Sequence, residues 1–340
     1  MPREAKRPLK VGLFLSVAER PAGAGWNNLK ALARHAEAAG FDSLWVSDHL
    51  IFPGSRDGEP ARGRWECWSI LTSLAAVTSR VELGTLVACM GFRNPALLAK
   101  MADTVEEISD GRLILGLGAG WYEPEYRAFG FPFDHRTARF EEALRIVHGL
   151  LRHGAIDFQG QYHQARDCEL RPRGPRRFGP PILIGARPNR PRALRLTAQY
   201  ADYWNITDKT PREIVSIREV VDTACAKVGR DPATLRRTVH TLIDLPGFES
   251  SQSPAEVRAH RVSRGAVTGS PEELAKHLTA FAREGIGHVQ LWLEPNTMAG
   301  IDAFQPVLEM LDRGAVPAAP ESHGSSPGNV ALHAATEPIH

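Results

Sequence analysis

From about residue 10 to residue 313 the chain alternates short, β-branched apolar runs with longer stretches of helical period, and it completes this alternation eight times. Such a rhythm is the signature of repeated βα units, in which parallel strands are each covered by the helix that follows. Strands are read at 10–17, 42–47, 81–87, 112–118, 181–185, 203–206, 237–243 and 288–293. Helices fit 26–39, 66–79, 95–109, 135–152, 190–201, 211–228, 271–284 and 301–313. Eight such pairs predict an α/β fold closed into a (β/α)8 TIM barrel; a doubly wound sheet more often has five or six strands.

The helix ends carry their own signals. Leu29, Leu32, Ala33 and Ala36 recur at i, i+3, i+4 and i+7, with Gly40 just beyond as a C-terminal cap. Thr210-Pro211-Arg212-Glu213 and Ser270-Pro271-Glu272-Glu273 each place a capping hydroxyl, a first-turn proline and a glutamate three residues on, the pattern of a capping box. Three segments exceed the βα rhythm, 50–65, 153–180 and 245–265, and are read as insertion loops at the C-terminal mouth. The first is glycine-rich and lid-like, and the second contains a β-hairpin. The resulting organisation is an N-terminal extension over 1–8, a barrel domain over 9–313, and a disordered tail over 314–340, whose Ala, Pro, Ser, Gly and His offer too little apolar surface to offset ordering entropy.

Charge narrows the partners. Lys plus Arg is 41 against 39 for Asp plus Glu, so no whole-chain field draws the protein to nucleic acid or to an anionic membrane. No apolar run reaches the 18 or so residues that span a bilayer. The four cysteines, Cys67, Cys89, Cys168 and Cys225, show no CxxC spacing, which removes the usual zinc and thioredoxin-like readings; no metal site is expected, and the location expected is cytoplasmic. GxSxG, HExxH and P-loop motifs are missing from the sequence.

In a barrel, functional groups stand where strands end. The second strand ends in Asp48-His49, where a histidine can shuttle a proton and a neighbouring carboxylate can orient it or hold a polar ring edge; a loop histidine satisfied by backbone is the bland alternative. The third strand end, with Leu86 and Val87, is either plain core or a wall against a flat cofactor. The fourth gives Gly116-Leu117-Gly118-Ala119-Gly120, which fails as a dinucleotide fingerprint because Trp121 stands where the last glycine is needed. Those glycines either admit a bulky ring, with Trp121, Tyr122 and Glu125 as walls and polar contacts, or form a tight exit turn. The fifth runs into Gly185-Ala186-Arg187 and a helix start, a setting that attracts phosphate. Arg171, Arg173, Arg176, Arg177, Arg190, Arg192 and Arg195 make this stretch a local basic patch, with solvated surface arginines as the alternative.

Taken together, AEAAGFDSLWVSDHL, SRVELGTLVACMGFRNPALLAKMADTVEEISDGRLILGLGAGWYEPEYRAFGFPF and PPILIGARPNRPRALRLTAQYADYWNI resemble, in order, the bacterial luciferase-like oxidoreductases, and specifically their branch dependent on coenzyme F420, a deazaflavin. The resemblance covers about residues 9–313. It implies a barrel with a deazaflavin or flavin across its C-terminal mouth. Asp48 and His49 match the pair beside the ring, the histidine serving as acid or base. Leu86 and Val87 match a bond that is commonly a non-proline cis peptide behind the ring. Gly120, Trp121, Tyr122 and Glu125 match the fourth-strand loop near the cofactor, and Gly185, Ala186 and Arg187 match the phosphate loop, where many relatives carry Gly-Gly. Two chemistries are implied. One is hydride transfer between coenzyme F420 and a small organic substrate. The other is oxygenation with reduced FMN from a partner flavin reductase. A non-catalytic flavin-binding module is a third possibility, and a homodimer is a family expectation.

Overall fold

The computed structural model describes residues 7–19, 25–52, 61–248 and 265–314. Eight parallel strands form the barrel: β1 (Lys10–Phe14), β2 (Ser43–Val46), β3 (Glu82–Thr85), β4 (Leu113–Gly118), β5 (Ile182–Gly185), β6 (Tyr203–Thr207), β7 (Arg236–Asp244) and β8 (Ile286–Glu294). Neighbours run in chain order, β8 pairs β1, and β4 pairs β5, so the ring closes as the alternation predicts. Around it lie α1 (Trp26–Ala39), α2 (Cys67–Val77), α3 (Pro95–Ile108), α4 (Glu123–Phe129), α5 (Arg136–His153), α6 (Pro191–Tyr200), α7 (Pro211–Lys227), α8 (Pro271–Arg283) and α9 (Met298–Arg313).

The capping chemistry sits where the sequence puts it. Gly40 closes α1 in the left-handed region at φ 98°, and Leu29, Leu32, Ala33 and Ala36 are its buried face. Both capping boxes form, Thr210 with Glu213 and Ser270 with Glu273. The hairpin in the 153–180 segment pairs Ala155–Gln159 with Gln164–Glu169. Two elements differ from expectation. Helix α4 is short and escapes periodicity, and α9 begins at Met298 rather than 301 because the Thr297 side chain accepts the Gly300 amide N–H. Half of the 50–65 segment, most of the 245–265 segment and the tail beyond Gly314 lie outside the described residues. Arg7, placed by the sequence in the extension, is buried and ties Asp42 before β2 to Asp312 in α9.

The barrel interior is filled by a large side chain opposite glycines. Trp45 is fully buried, and a Cβ on Gly84 or Gly12 would come within 2.2 or 2.5 Å of its ring. Its indole N–H donates to Ser43 Oγ (2.7 Å), and the Ser43 hydroxyl is hydrogen-bonded in turn to His288 Nε2 (2.7 Å). Asn205 Nδ2 donates to Thr238 Oγ1 and Gln290 Oε1, a second polar tie inside the ring. Among the described residues no helix is long and apolar enough to cross a membrane, and no cluster of His, Cys, Asp or Glu could hold a metal ion.

Burial, helped by the charge of Lys10, pushes His288 down from 6.5 to about 3. The unfolded chain therefore binds a proton at this residue between those two values that the folded chain does not. Stability supplied by neutral His288 is complete above about pH 6.5 and is lost as the pH falls towards 3. Urea unfolding across this window should show a shallower acid-side loss for His288→Asn than for the wild type; identical slopes would reject His288 as a source of acid sensitivity.

Candidate active site

The strand ends β2, β3 and β4 converge around His49. Helix α4 begins just after the glycine-rich exit of β4, with Glu123 and Glu125 in its first turn, where acidic groups favour the helix dipole, and Gly130 as left-handed cap. This places Glu125 (1% exposed) beneath the loop after β2. Its carboxylate meets three donors: His49 Nδ1 at 2.9 Å, the Leu50 N–H at 2.6 Å and the Ile51 N–H at 3.0 Å. A carboxylate already holding two amide N–H groups accepts from the ring, so His49 carries its proton on Nδ1 and keeps Nε2 as the reactive nitrogen. The ring is 18% exposed, and among the described residues no hydrogen bond engages Nε2.

Asp48 plays a different part from the one expected. It does not orient His49, nor is it open to a cofactor edge. It is 2% exposed, accepts the Cys89 amide N–H at 2.9 Å, and is gripped by both terminal nitrogens of Arg93 at 2.5 and 3.1 Å. Arg93 also donates to Glu66 (2.6 Å), which caps α2 through the amides of Trp68 and Ser69. Burial opposes the Arg93 charge, but Asp48 and Glu66 outweigh it and hold the guanidinium more firmly protonated. Nothing in the sequence marks Arg93 or Glu66 for this role; the nearest signal is the adjacent Asn94-Pro95 helix cap, which fixes where Arg93 leaves the loop.

The bond between Leu86 and Val87 is cis. Both side chains are half-buried and pack on an interior cluster of Phe14, Trp45, Ile114, Leu183 and Tyr203, with Trp292 stacked on Phe14 at 5.1 Å. Gly120 has φ 74°, and a Cβ there would fall 1.9 Å from the Tyr126 hydroxyl, so the turn requires glycine. Tyr126 donates to Ala119 O and takes the Cys89 thiol hydrogen bond (both 2.9 Å). Burial pushes that thiol up to about 12, so Cys89 is no nucleophile near neutral pH. Trp121 is 57% exposed and meets His49 edge-to-face, and half-buried Tyr122 lies beside Trp121.

On the far side, Gly185 and Arg187 are exposed but Ala186 is not. Its N–H donates to Asn205 O (3.2 Å) and its carbonyl accepts the Trp204 indole N–H (2.9 Å), so this residue has no backbone group to offer a phosphate. The basic patch also resolves into ion pairs: Arg171 with Glu169, Arg173 with Asp103, Arg176 with Glu106, and Arg192 and Arg195 with Glu141. A cavity beside Ala119 and Tyr126 is lined by Arg136 and Arg139, with His163, whose burial favours the neutral ring; the sequence does not single these out.

Removing the Arg93 head group leaves Asp48 charged, buried and without its main partner. Arg93→Met should lower unfolding free energy by about 3–5 kcal/mol, read from urea denaturation; a loss within about 0.5 kcal/mol, the range of an ordinary surface substitution, would contradict the clamp.

Residues 9–243 match the family described as luciferase-like monooxygenase. The pyrimidine monooxygenase RutA of Bradyrhizobium sp. is 35% identical over 174 residues, 49% of this chain and 47% of that protein. The chain thus spans about half the length of such relatives. A phthiodiolone/phenolphthiodiolone dimycocerosates ketoreductase of Mycobacterium bovis is 33% identical over 270 residues, 74% of this chain and 68% of the relative. Among solved structures, an F420-dependent secondary alcohol dehydrogenase superposes with a TM-score of 0.74 at 21% identity, covering 89% of this chain and 99% of that one. A monooxygenase from Streptomyces bottropensis gives 0.70 at 19%, covering 90% and 98%. At such identities these two likenesses speak to the fold. The extent of the family match, from the first strand into the seventh, places the chain in the luciferase-like monooxygenase family of enzymes.

Proposed function

We propose that the protein is a coenzyme F420-dependent oxidoreductase that moves a hydride between the deazaflavin and a carbonyl or similarly unsaturated carbon of a small organic substrate. The observation that carries this reading is His49, held by buried Glu125 in the tautomer that leaves Nε2 uncommitted at the barrel mouth. A carbonyl that takes hydride at carbon must take a proton at oxygen, and a positioned imidazole is suited to deliver it. A relative that matches 74% of this chain is named a ketoreductase, which is consistent with that requirement.

The residues fit a flat, phosphate-bearing cofactor. Leu86 and Val87 offer an apolar floor, continuous with the interior cluster, against which a ring can lie. At Gly185 an added Cβ would meet nothing closer than 4.0 Å, so the backbone there is open to close approach. Exposed Arg187, with Arg136 in the cavity beside Ala119, supplies cations for a phosphate or acidic tail. The bound deazaflavin supplies the hydride, from C5. For reduction, Nε2 of His49 first takes a proton from solvent; the imidazolium, its Nδ1–H still held by Glu125, then gives that Nε2 proton to the substrate oxygen and returns to the Nδ1–H tautomer. Read backwards, the same groups oxidise an alcohol.

A second reading, an FMN-dependent monooxygenase fed by a partner flavin reductase, is supported by the RutA relatives. Anaerobic titrations with F420 and with FMN, each oxidised and reduced, followed by ring absorbance and fluorescence, separate the two. Binding of F420 with FMN weak or silent is the result expected; preference for reduced FMN would overturn the deazaflavin assignment. His49→Ala should lower turnover by roughly 10²–10⁴-fold while changing cofactor affinity far less, and unchanged turnover would remove His49 as the proton carrier.

A further inference from the structure

Two aromatic rings from two mouth loops meet His49, and a third continues from one of them. Phe52 meets the imidazole edge-to-face, with centroids 4.7 Å apart and planes at 70°. Trp121 does the same at 5.9 Å and 79°, and Phe52 and Trp121 lie 6.0 Å apart at 83° to each other. Tyr122 extends the wall 5.4 Å from Trp121. At these separations His49, Phe52 and Trp121 touch one another edge-to-face, so a guest of this aromatic box would lie on the outer faces of its walls rather than between them. Trp121 is 57% exposed although it is among the largest apolar side chains in the protein, and such a ring beside a reactive group marks a binding surface.

The electrostatics select the guest. The Arg64 guanidinium lies 4.5 Å over the Phe52 ring, so that face already carries a cation and repels another. Glu125 is buried below the loop with its oxygens taken by three donors, so a guest cation could make no direct ion pair with it. Aromatic walls without an available carboxylate favour a neutral ring over an aromatic cage's usual quaternary ammonium. The box is also separate from the apolar floor: Leu86 and Val87 pack on the interior cluster, in which Phe52, Trp121 and Tyr122 take no part.

We infer that the box selects the substrate: a carbonyl compound bearing a flat, uncharged aromatic ring, which packs against Trp121 and Phe52 and brings its carbonyl oxygen to His49 Nε2. This rests on the function proposed above, and its test uses binding so that the two can fail separately. Acetophenone and cyclohexyl methyl ketone, alike in size and differing in aromaticity, are titrated calorimetrically into the protein with and without saturating oxidised F420. Two edge-to-face contacts predict roughly ten-fold tighter binding of acetophenone. Trp121→Ala should erase that preference, Trp121→Phe should keep most of it, and F420 affinity should be unchanged in both. Equal binding of the two ketones, or a preference that survives Trp121→Ala, overturns the inference. So does a Trp121→Ala protein that loses F420 affinity, since the box would then belong to the cofactor. A wild type that binds acetophenone preferentially but takes up no F420 would sink the cofactor reading and leave the aromatic box standing.

Discussion

A carboxylate removed from water must find its donors inside the protein, and the mouth of this barrel is organised by two of them. Glu125 collects the His49 ring and two successive amides, and Asp48 collects Arg93 and the Cys89 amide. An unpaired charge at either place would be costly, so the loops that supply donors are fixed to the ones that supply acceptors. The segment 48–51 after β2 is thereby tied to the loop after β3 through Arg93 and to α4 after β4 through Glu125. Three strand exits are held in register by charge, and His49 inherits its position from them.

Below this rim the interior obeys a packing constraint of another kind. Trp45 occupies the space that Gly12 and Gly84 leave open, and its indole N–H begins the chain through Ser43 to His288. Ser43 bridges the Trp45 indole and the His288 ring, and burial keeps that ring neutral near neutral pH. The floor of the mouth thus rests on a filled barrel, and the half-buried Leu86 and Val87 are presented from its upper edge.

The sequence made the barrel legible because periodicity and caps are local: α1, with its buried face and Gly40, and the two capping boxes depend on residues within a turn of one another. His49 was legible for a related reason, since strand ends are where a barrel places its chemistry. Its partner was not. Asp48 is adjacent in the chain but points into the grip of Arg93, 45 positions away, and the carboxylate that meets the ring comes from 76 positions away. The arginine-rich stretch misled in the same manner, because Asp103, Glu106 and Glu141, which pair with its members, lie on helices read independently of it. Periodicity cannot report a seven-residue helix such as α4, and with it went the reason for the position of Glu125.

The division between rim and floor bears on how one scaffold serves different redox chemistries. Hydride transfer and oxygenation both require a flat ring on an apolar surface, and both require protons to move beside it. A proton-carrying group held by a fully satisfied carboxylate needs little rearrangement when its charge changes, because the donors around Glu125 already face it before the reaction starts. That preorganisation is indifferent to whether the substrate receives hydride or oxygen. What distinguishes members of such a family must then lie above the ring, in the side chains that touch the substrate and exclude water. On the reading proposed above these are Phe52 and Trp121, carried on the loops after β2 and β4, with Tyr122 beside Trp121, while Glu125, which holds His49, is buried. Separating the two sets allows the upper one to change without loosening the lower, as variation of loops over a fixed barrel requires.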